Sequence, residues 1–89
     1  MNITDVRMRI INNDTKMKAV ASITIDGGFA IHDIKVIDSD KGLFIAMPSK
    51  KDNDGVYRDV CHPINTAVRR EIQDIVIQKY DQLIAEEQS

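Results

Sequence analysis

Apolar and polar residues alternate along most of the first two-thirds of the chain. Val6, Met8 and Ile10 share one parity and Asp5, Arg7 and Arg9 the other, the period of two that marks a strand with one buried face. Asn12-Asn13-Asp14 interrupts the run as a turn does. Alternation resumes at Lys18, with Ala19, Ala21, Ile23 and Ile25 on one side and Val20, Ser22 and Thr24 on the other. Asp26-Gly27-Gly28 follows, a hairpin signal because glycine accepts positive φ. In the third run Phe29 and Ile31 have one parity, and Ile34 and Val36 the opposite one. A strand that keeps its core side across this slip needs an extra residue, so the pattern predicts a β-bulge near His32-Asp33. Asp38-Ser39-Asp40-Lys41-Gly42 makes the next turn. Leu43 to Met47 is apolar at both parities, which predicts a central strand or one covered on both faces. Ser49 to Gly55 reads as a polar loop, and Val56 to Val60 as a short fifth strand pairing back on the fourth.

The period changes after Pro63 and Asn65, which mark a helix start. Ile64, Val68, Ile72, Ile75, Val76, Tyr80, Leu83 and Ile84 recur at three- and four-residue steps. The fold class is therefore α+β, in one domain spanning residues 1–89. An antiparallel β-sheet of four to five strands occupies about residues 2–60, and one long C-terminal α-helix about residues 64–85, with a frayed tail over 86–89. Four or five strands at ~4.8 Å spacing span roughly 20 Å, whereas one helix is about 10–12 Å across. The helix covers only part of one face. An identical chain is the cheapest cover for the remainder, so a homodimer with the sheet in its interface is expected.

Composition narrows the class. Of 89 residues, 43% are hydrophobic and 29% charged, as in soluble globular domains. No apolar run approaches the roughly 18–20 residues of a membrane span. The opening MNITDVRMRI lacks the basic head and apolar core of a signal peptide, so a cytoplasmic address and no membrane partner are expected. Lone Cys61 can form no internal disulfide and no metal site by itself. With no Trp, two Tyr and two Phe, an aromatic platform for stacking single-stranded bases is not expected. The net charge of −2 hides an asymmetry. Residues 1–70 carry 11 Lys/Arg against 9 Asp/Glu, while residues 71–89 set Lys79 alone against Glu71, Asp74, Asp81, Glu86 and Glu87. Phosphate binding depends on local potential, so a basic patch survives the acidic total.

Catalytic and metal chemistry find little support. Neighbours in an extended segment point to opposite sides, which separates Cys61 from His62 and His32 from Asp33. The histidines and cysteine match no zinc spacing, and the glycine stretches no phosphate loop. The chain reads as a non-enzyme with no cofactor and no metal. Basic residues are more informative. Lys50 and Lys51 follow the fourth strand, Arg58 lies on the short strand that returns, and Arg69 and Arg70 fall in the first turns of the helix. Arginine there opposes the helix dipole, and an anion would relieve the repulsion. Free N–H groups at a helix start also bind phosphate. These residues predict one phosphate-facing surface per protomer, repeated about the two-fold axis of a dimer in a way that suits duplex DNA. The alternative is a solvated loop and helix face, with Arg70 pairing with Asp74 at i+4.

Longer stretches are recognisable. Val36-Ile37-Asp38, the run Gly42-Leu43-Phe44-Ile45-Ala46-Met47-Pro48-Ser49-Lys50-Lys51, then Asp54-Gly55, Arg58-Asp59, His62-Pro63-Ile64-Asn65 and Ile72-Gln73-Asp74 strongly resemble the SpoVG family of bacterial septation regulators. Ile3-Thr4-Asp5-Val6-Arg7 and Ala21-Ser22-Ile23-Thr24 match as well, so the likeness runs to about Tyr80. It implies a small cytoplasmic protein that dimerises through its sheet. It also implies a regulator of gene expression, septation and sporulation that binds DNA and, in some members, RNA. The family's basic pair after Met-Pro-Ser falls on Lys50 and Lys51, and the helix start linked to sequence preference falls on Thr66, Ala67, Arg69 and Arg70. Lys51 stands where relatives often carry Arg and lacks its bidentate fork. Thr66-Ala67-Val68 and Arg70-Glu71 depart from the commoner pattern, so a preferred site does not carry over. Cys61 replaces a residue that is often small and apolar. The expectation is a dimeric DNA-binding regulator. Its rival is a protein-interaction module, served by the acidic helix end and the two-faced sheet, that acts through a protein partner without touching nucleic acid.

Overall fold

Alternation resolves into an antiparallel meander. The computed structural model describes residues 2–11 and 15–88. The elements are β1 (Ile3–Ile10), β2 (Met17–Ile25), β3 (Phe29–Ser39), β4 (Gly42–Ala46), β5 (Ser49–Lys51), β6 (Tyr57–Asp59) and α1 (Thr66–Gln88). Strands β1 to β4 form one antiparallel sheet in chain order, and β5 and β6 form a separate two-stranded sheet. The turn expected at Asn12-Asn13-Asp14 lies outside the described residues. At the next turn Asp26 and Gly27 both adopt positive φ, 53° and 69°. The Gly28 N–H closes that turn on the Ile25 carbonyl at 3.1 Å.

The predicted bulge is present. Ala21 pairs with Ile34 and Ile23 with Ile31, so three steps on β3 oppose two on β2. His32 and Asp33 hold the extra residue, and Asp33 sits at φ 62°, a left-handed conformation that aspartate tolerates better than most side chains. The slip turns Ile34 and Val36 into the core alongside Ala19, Ala21 and Ile23. Without it these two residues would face the opposite side of the sheet.

Two strand assignments are corrected. Leu43 to Met47 is not central, because β4 is an edge of the sheet. Its double apolar parity has another cause: Ile45 and Met47 enter the core, while Phe44 remains 40% exposed on the opposite face. Nor does Val56 to Val60 return to the fourth strand. Its central residues pair with Ser49–Lys51, so the expected polar loop is itself half of a small β-arm.

Helix α1 packs on β1, β3 and β4. Asn65 caps it: its Oδ1 accepts the Val68 N–H at 2.8 Å, and its carbonyl accepts the Arg69 N–H at 3.2 Å. The helix therefore starts two residues after Ile64, which is 89% exposed and no part of the buried stripe. Ile72 and Val76 are buried, with Val68, Ile77 and Tyr80 packed around them. At its other end α1 continues to Gln88, through the segment expected to fray. Burial, and then the carboxylates of Asp38, Asp81 and Glu87, push the Tyr80 phenol above its usual range. Among the described residues no helix is long and apolar enough to cross a membrane.

Ile23→Ala removes a fully buried side chain and should cost about 2–5 kcal/mol. Ile64→Ala should change stability by no more than about 0.5 kcal/mol. Urea denaturation at one fixed protein concentration compares the two, and equal losses would contradict the core placed here.

Candidate nucleic-acid interface

The β5–β6 arm has no buried residue: Tyr57 is 70% exposed and Val60 67%. Polar closure holds it together instead. Lys50 lies directly opposite Arg58, and Lys51 opposite Tyr57. Two cations facing each other across a ladder repel. Asp52 offsets this from the turn. Its Oδ1 accepts the N–H groups of Asp54 at 2.9 Å and Val56 at 3.0 Å, and its Oδ2 accepts Arg58 Nε at 2.7 Å. Backbone bonds from Asp52 N to Val56 O, 2.9 Å, and from Gly55 N to Asp52 O, 3.1 Å, complete the turn. Gly55 supplies the positive φ, 84°, that the turn requires. The Arg58 guanidinium, followed by the Val56 N–H, holds the Asp52 carboxyl below the usual carboxylate range.

Lys50, Lys51 and Arg58 line one groove of about 400 Å³, together with Asp52, Asn53, Asp59 and Val60. The two lysines stand on a strand rather than in a loop. Thr66, Arg69 and Arg70 are exposed at the start of α1 and line no part of this groove. The residues singled out in the sequence thus form two zones, one on the arm and one at the helix start. Arg58 is not free, since Asp52 takes its Nε, yet its side chain is 73% exposed. Arg70 and Asp74 form no ion pair among the described residues.

A larger groove, about 790 Å³, runs from the arm over the sheet face opposite α1. Arg9 from β1, Lys35 from β3 and Lys50 from β5 line it, along with Val20, Phe29 and Val60. Register explains the assembly: Arg9 pairs with Val20 and Val20 with Lys35, so one cross-strand row carries both cations. Neither Arg9 nor Lys35 was singled out above. The signal was available in the alternation that sets Arg7 and Arg9 opposite Val6, Met8 and Ile10. Arg7 is engaged by Asp5 at 3.1 Å, whereas Arg9, Lys35, Lys50 and Lys51 have no acidic partner among the described residues. Cys61 is a half-buried free thiol. Among the described residues no three His, Cys, Asp or Glu side chains are grouped to hold a metal ion.

Because folding lowers the Asp52 pKa, its hold on the turn is complete above the ordinary carboxylate pKa and is lost as pH falls through the depressed value. The amide resonances of Asp54 and Val56 should therefore move together on acid titration, with a midpoint below the ordinary aspartate value. A midpoint at or above that value would contradict the arm geometry.

Comparison with known proteins gives a consistent result. The SpoVG family model matches residues 1–82. A protein of Agathobacter rectalis is 61% identical over 80 residues, covering 90% of this chain and 92% of the relative. One of Lachnospira eligens is 62% identical over 81 residues, covering 91% and 92%. One of Bacillus pumilus is 53% identical over 89 residues, covering all of this chain and 91% of the relative. All three bear the name septation protein SpoVG.

Proposed function

The chain belongs to the SpoVG family, and from that premise we propose that it is a homodimeric, non-enzymatic cytoplasmic regulator that binds nucleic acid through the β5–β6 arm. One observation carries this reading: Lys50 and Lys51, without an acidic partner among the described residues, line an exposed groove with Arg58. Ammonium and guanidinium groups converging on an open groove attract phosphate and release its counterions. Thr66, Arg69 and Arg70 form a second contact zone, where the α1 N-terminus adds its own N–H groups. Duplex DNA is the first substrate of this reading and RNA the second. The names of the relatives support a role connected with septation.

Dimerisation through the sheet follows from its uncovered face. Met17 pairs with Ile37, and Ile37 with Phe44, so an apolar row crosses three strands opposite the core. Phe44, at the β4 edge, is 40% exposed. A second copy that covers this row presents the arm twice about a two-fold axis. Phe44→Asp should shift the protein toward monomer in sedimentation at micromolar concentration. An unchanged sedimentation coefficient in a folded variant would remove this face from the interface.

For nucleic-acid binding the test is a salt titration against short duplex DNA, single-stranded DNA and RNA. With about four to six phosphates neutralised per dimer, log Kd should vary with log salt with a slope of magnitude roughly 4 to 5. The double variant Lys50→Ala, Lys51→Ala should bind every sequence more weakly and flatten the slope. A folded double variant that binds like the native protein would overturn the arm as the contact surface. If the native protein binds none of the three at low salt, the protein-interaction reading replaces this one.

A further inference from the structure

We propose that Asp52 is a positioning residue for nucleic-acid recognition. By holding Arg58 at Nε it turns the Nη1 and Nη2 end of the guanidinium outward to receive a paired acceptor, either two phosphate oxygens or O6 and N7 of a guanine. The inference rests on the functional reading above and names the contact that the arm makes.

The contact geometry sets the direction. An arginine and a carboxylate left to themselves pair through two parallel bonds, which occupies both partners. Here Asp52 Oδ1 is already taken by the N–H groups of Asp54 and Val56. Only Oδ2 remains for Arg58, and it engages Nε at 2.7 Å. A guanidinium has five N–H donors, so four remain, on a side chain that is 73% exposed. The arrangement fixes the root of the fork and leaves its prongs in solvent. Lys50 stands directly across the ladder, on the same face as Arg58, so an acceptor reaching those prongs meets its ammonium group as well. Ordering a long side chain is one of the costs of association, and Asp52 imposes that order before a ligand arrives.

The proposal makes a prediction opposite in sign to simple electrostatics. Asp52 is a negative charge in a groove for phosphate, so on charge alone its removal would strengthen binding. As a positioning residue its removal must weaken binding. Asp52→Asn is the informative variant. Asparagine keeps an oxygen for the Asp54 and Val56 amides but offers an NH2 group, a donor, to Arg58 Nε. Arg58→Lys keeps both the charge and the Asp52 turn while removing the planar fork.

Fluorescence anisotropy of a labelled 24-base-pair mixed-sequence duplex would be measured for the native protein, Asp52→Asn, Arg58→Lys and the double variant. Each single variant should weaken binding about three- to tenfold, the loss of one oriented charge-assisted contact. The double variant should be no weaker than Arg58→Lys, because both changes remove the same contact. A duplex carrying 7-deazaguanine separates the two acceptors. If guanine is read, the native protein loses affinity on that duplex and Asp52→Asn does not. If phosphate is held, neither responds and the loss in Asp52→Asn is the same on every sequence. Native or tighter binding by folded Asp52→Asn overturns the proposal, as does native binding by Arg58→Lys. Either result leaves the lysine contacts standing, whereas a native protein that binds no duplex overturns the functional reading together with this one.

Discussion

A sheet has two faces, the described residues form one helix, and the remaining architecture answers to that mismatch. Strands β1 to β4 bury Ala19, Ala21, Ile23, Ile34, Val36 and Ile45 on the side that meets Ile72 and Val76. On the other side Met17, Ile37 and Phe44 share a cross-strand row, next to a second row that carries Arg9, Val20 and Lys35. Adjacent apolar and cationic rows on one open face are poorly explained by solvation alone, since Phe44 gains nothing from water. The apolar row suits a second copy of the chain. The cationic row leads through Lys50 toward the arm.

The arm solves a different problem. None of its residues is fully buried, so hydrophobic contact contributes little to holding it. A single carboxylate organises it by serving two backbone donors and one guanidinium. The same carboxylate relieves the repulsion between Lys50 and Arg58 across the ladder. A cationic surface on so small an element needs an internal anion, or its own charges would splay it open.

Local signals proved legible where they concern one strand or one helix end. The parity slip between Ile31 and Ile34 located the bulge, because side-chain period in a strand is strict and a slip has only one remedy. Asn65 located the helix cap for the same kind of reason. Pairing between strands was less legible. Leu43 to Met47 read as central because an apolar outer face looks the same whether a strand or nothing covers it. Ser49-Lys50-Lys51 has no hydrophobic alternation at all, so its strand state emerges only from the turn that Asp52 closes. The candidate cations were half legible. Lys50, Lys51 and Arg58 lie on paired strands and line one groove, whereas Arg69 and Arg70 lie on a separate element. The outward parity of Arg9 is local to β1, but its alignment with Lys35 enters only through the register of three strands, which no local window contains.

The charge pattern of α1 shows why an acidic chain can still present a basic surface. Its first turn holds no acid and its last turn no base, with Arg69 and Arg70 near the start and Glu86 and Glu87 near the end. Both ends therefore oppose the helix dipole, at a cost of about 0.3–1 kcal/mol for each charge. Helix stability does not account for such a distribution. At 1.5 Å per residue, Asp81 to Glu87 stand about 22–32 Å along the axis from Thr66, while charges in physiological salt are screened over about 8 Å. The acidic end is thus too far away to cancel the potential at the helix start, and the net charge of −2 describes neither end. An anion near α1 is attracted at one pole of the helix and repelled at the other. The orientation in which it meets the protein is then biased before any contact forms.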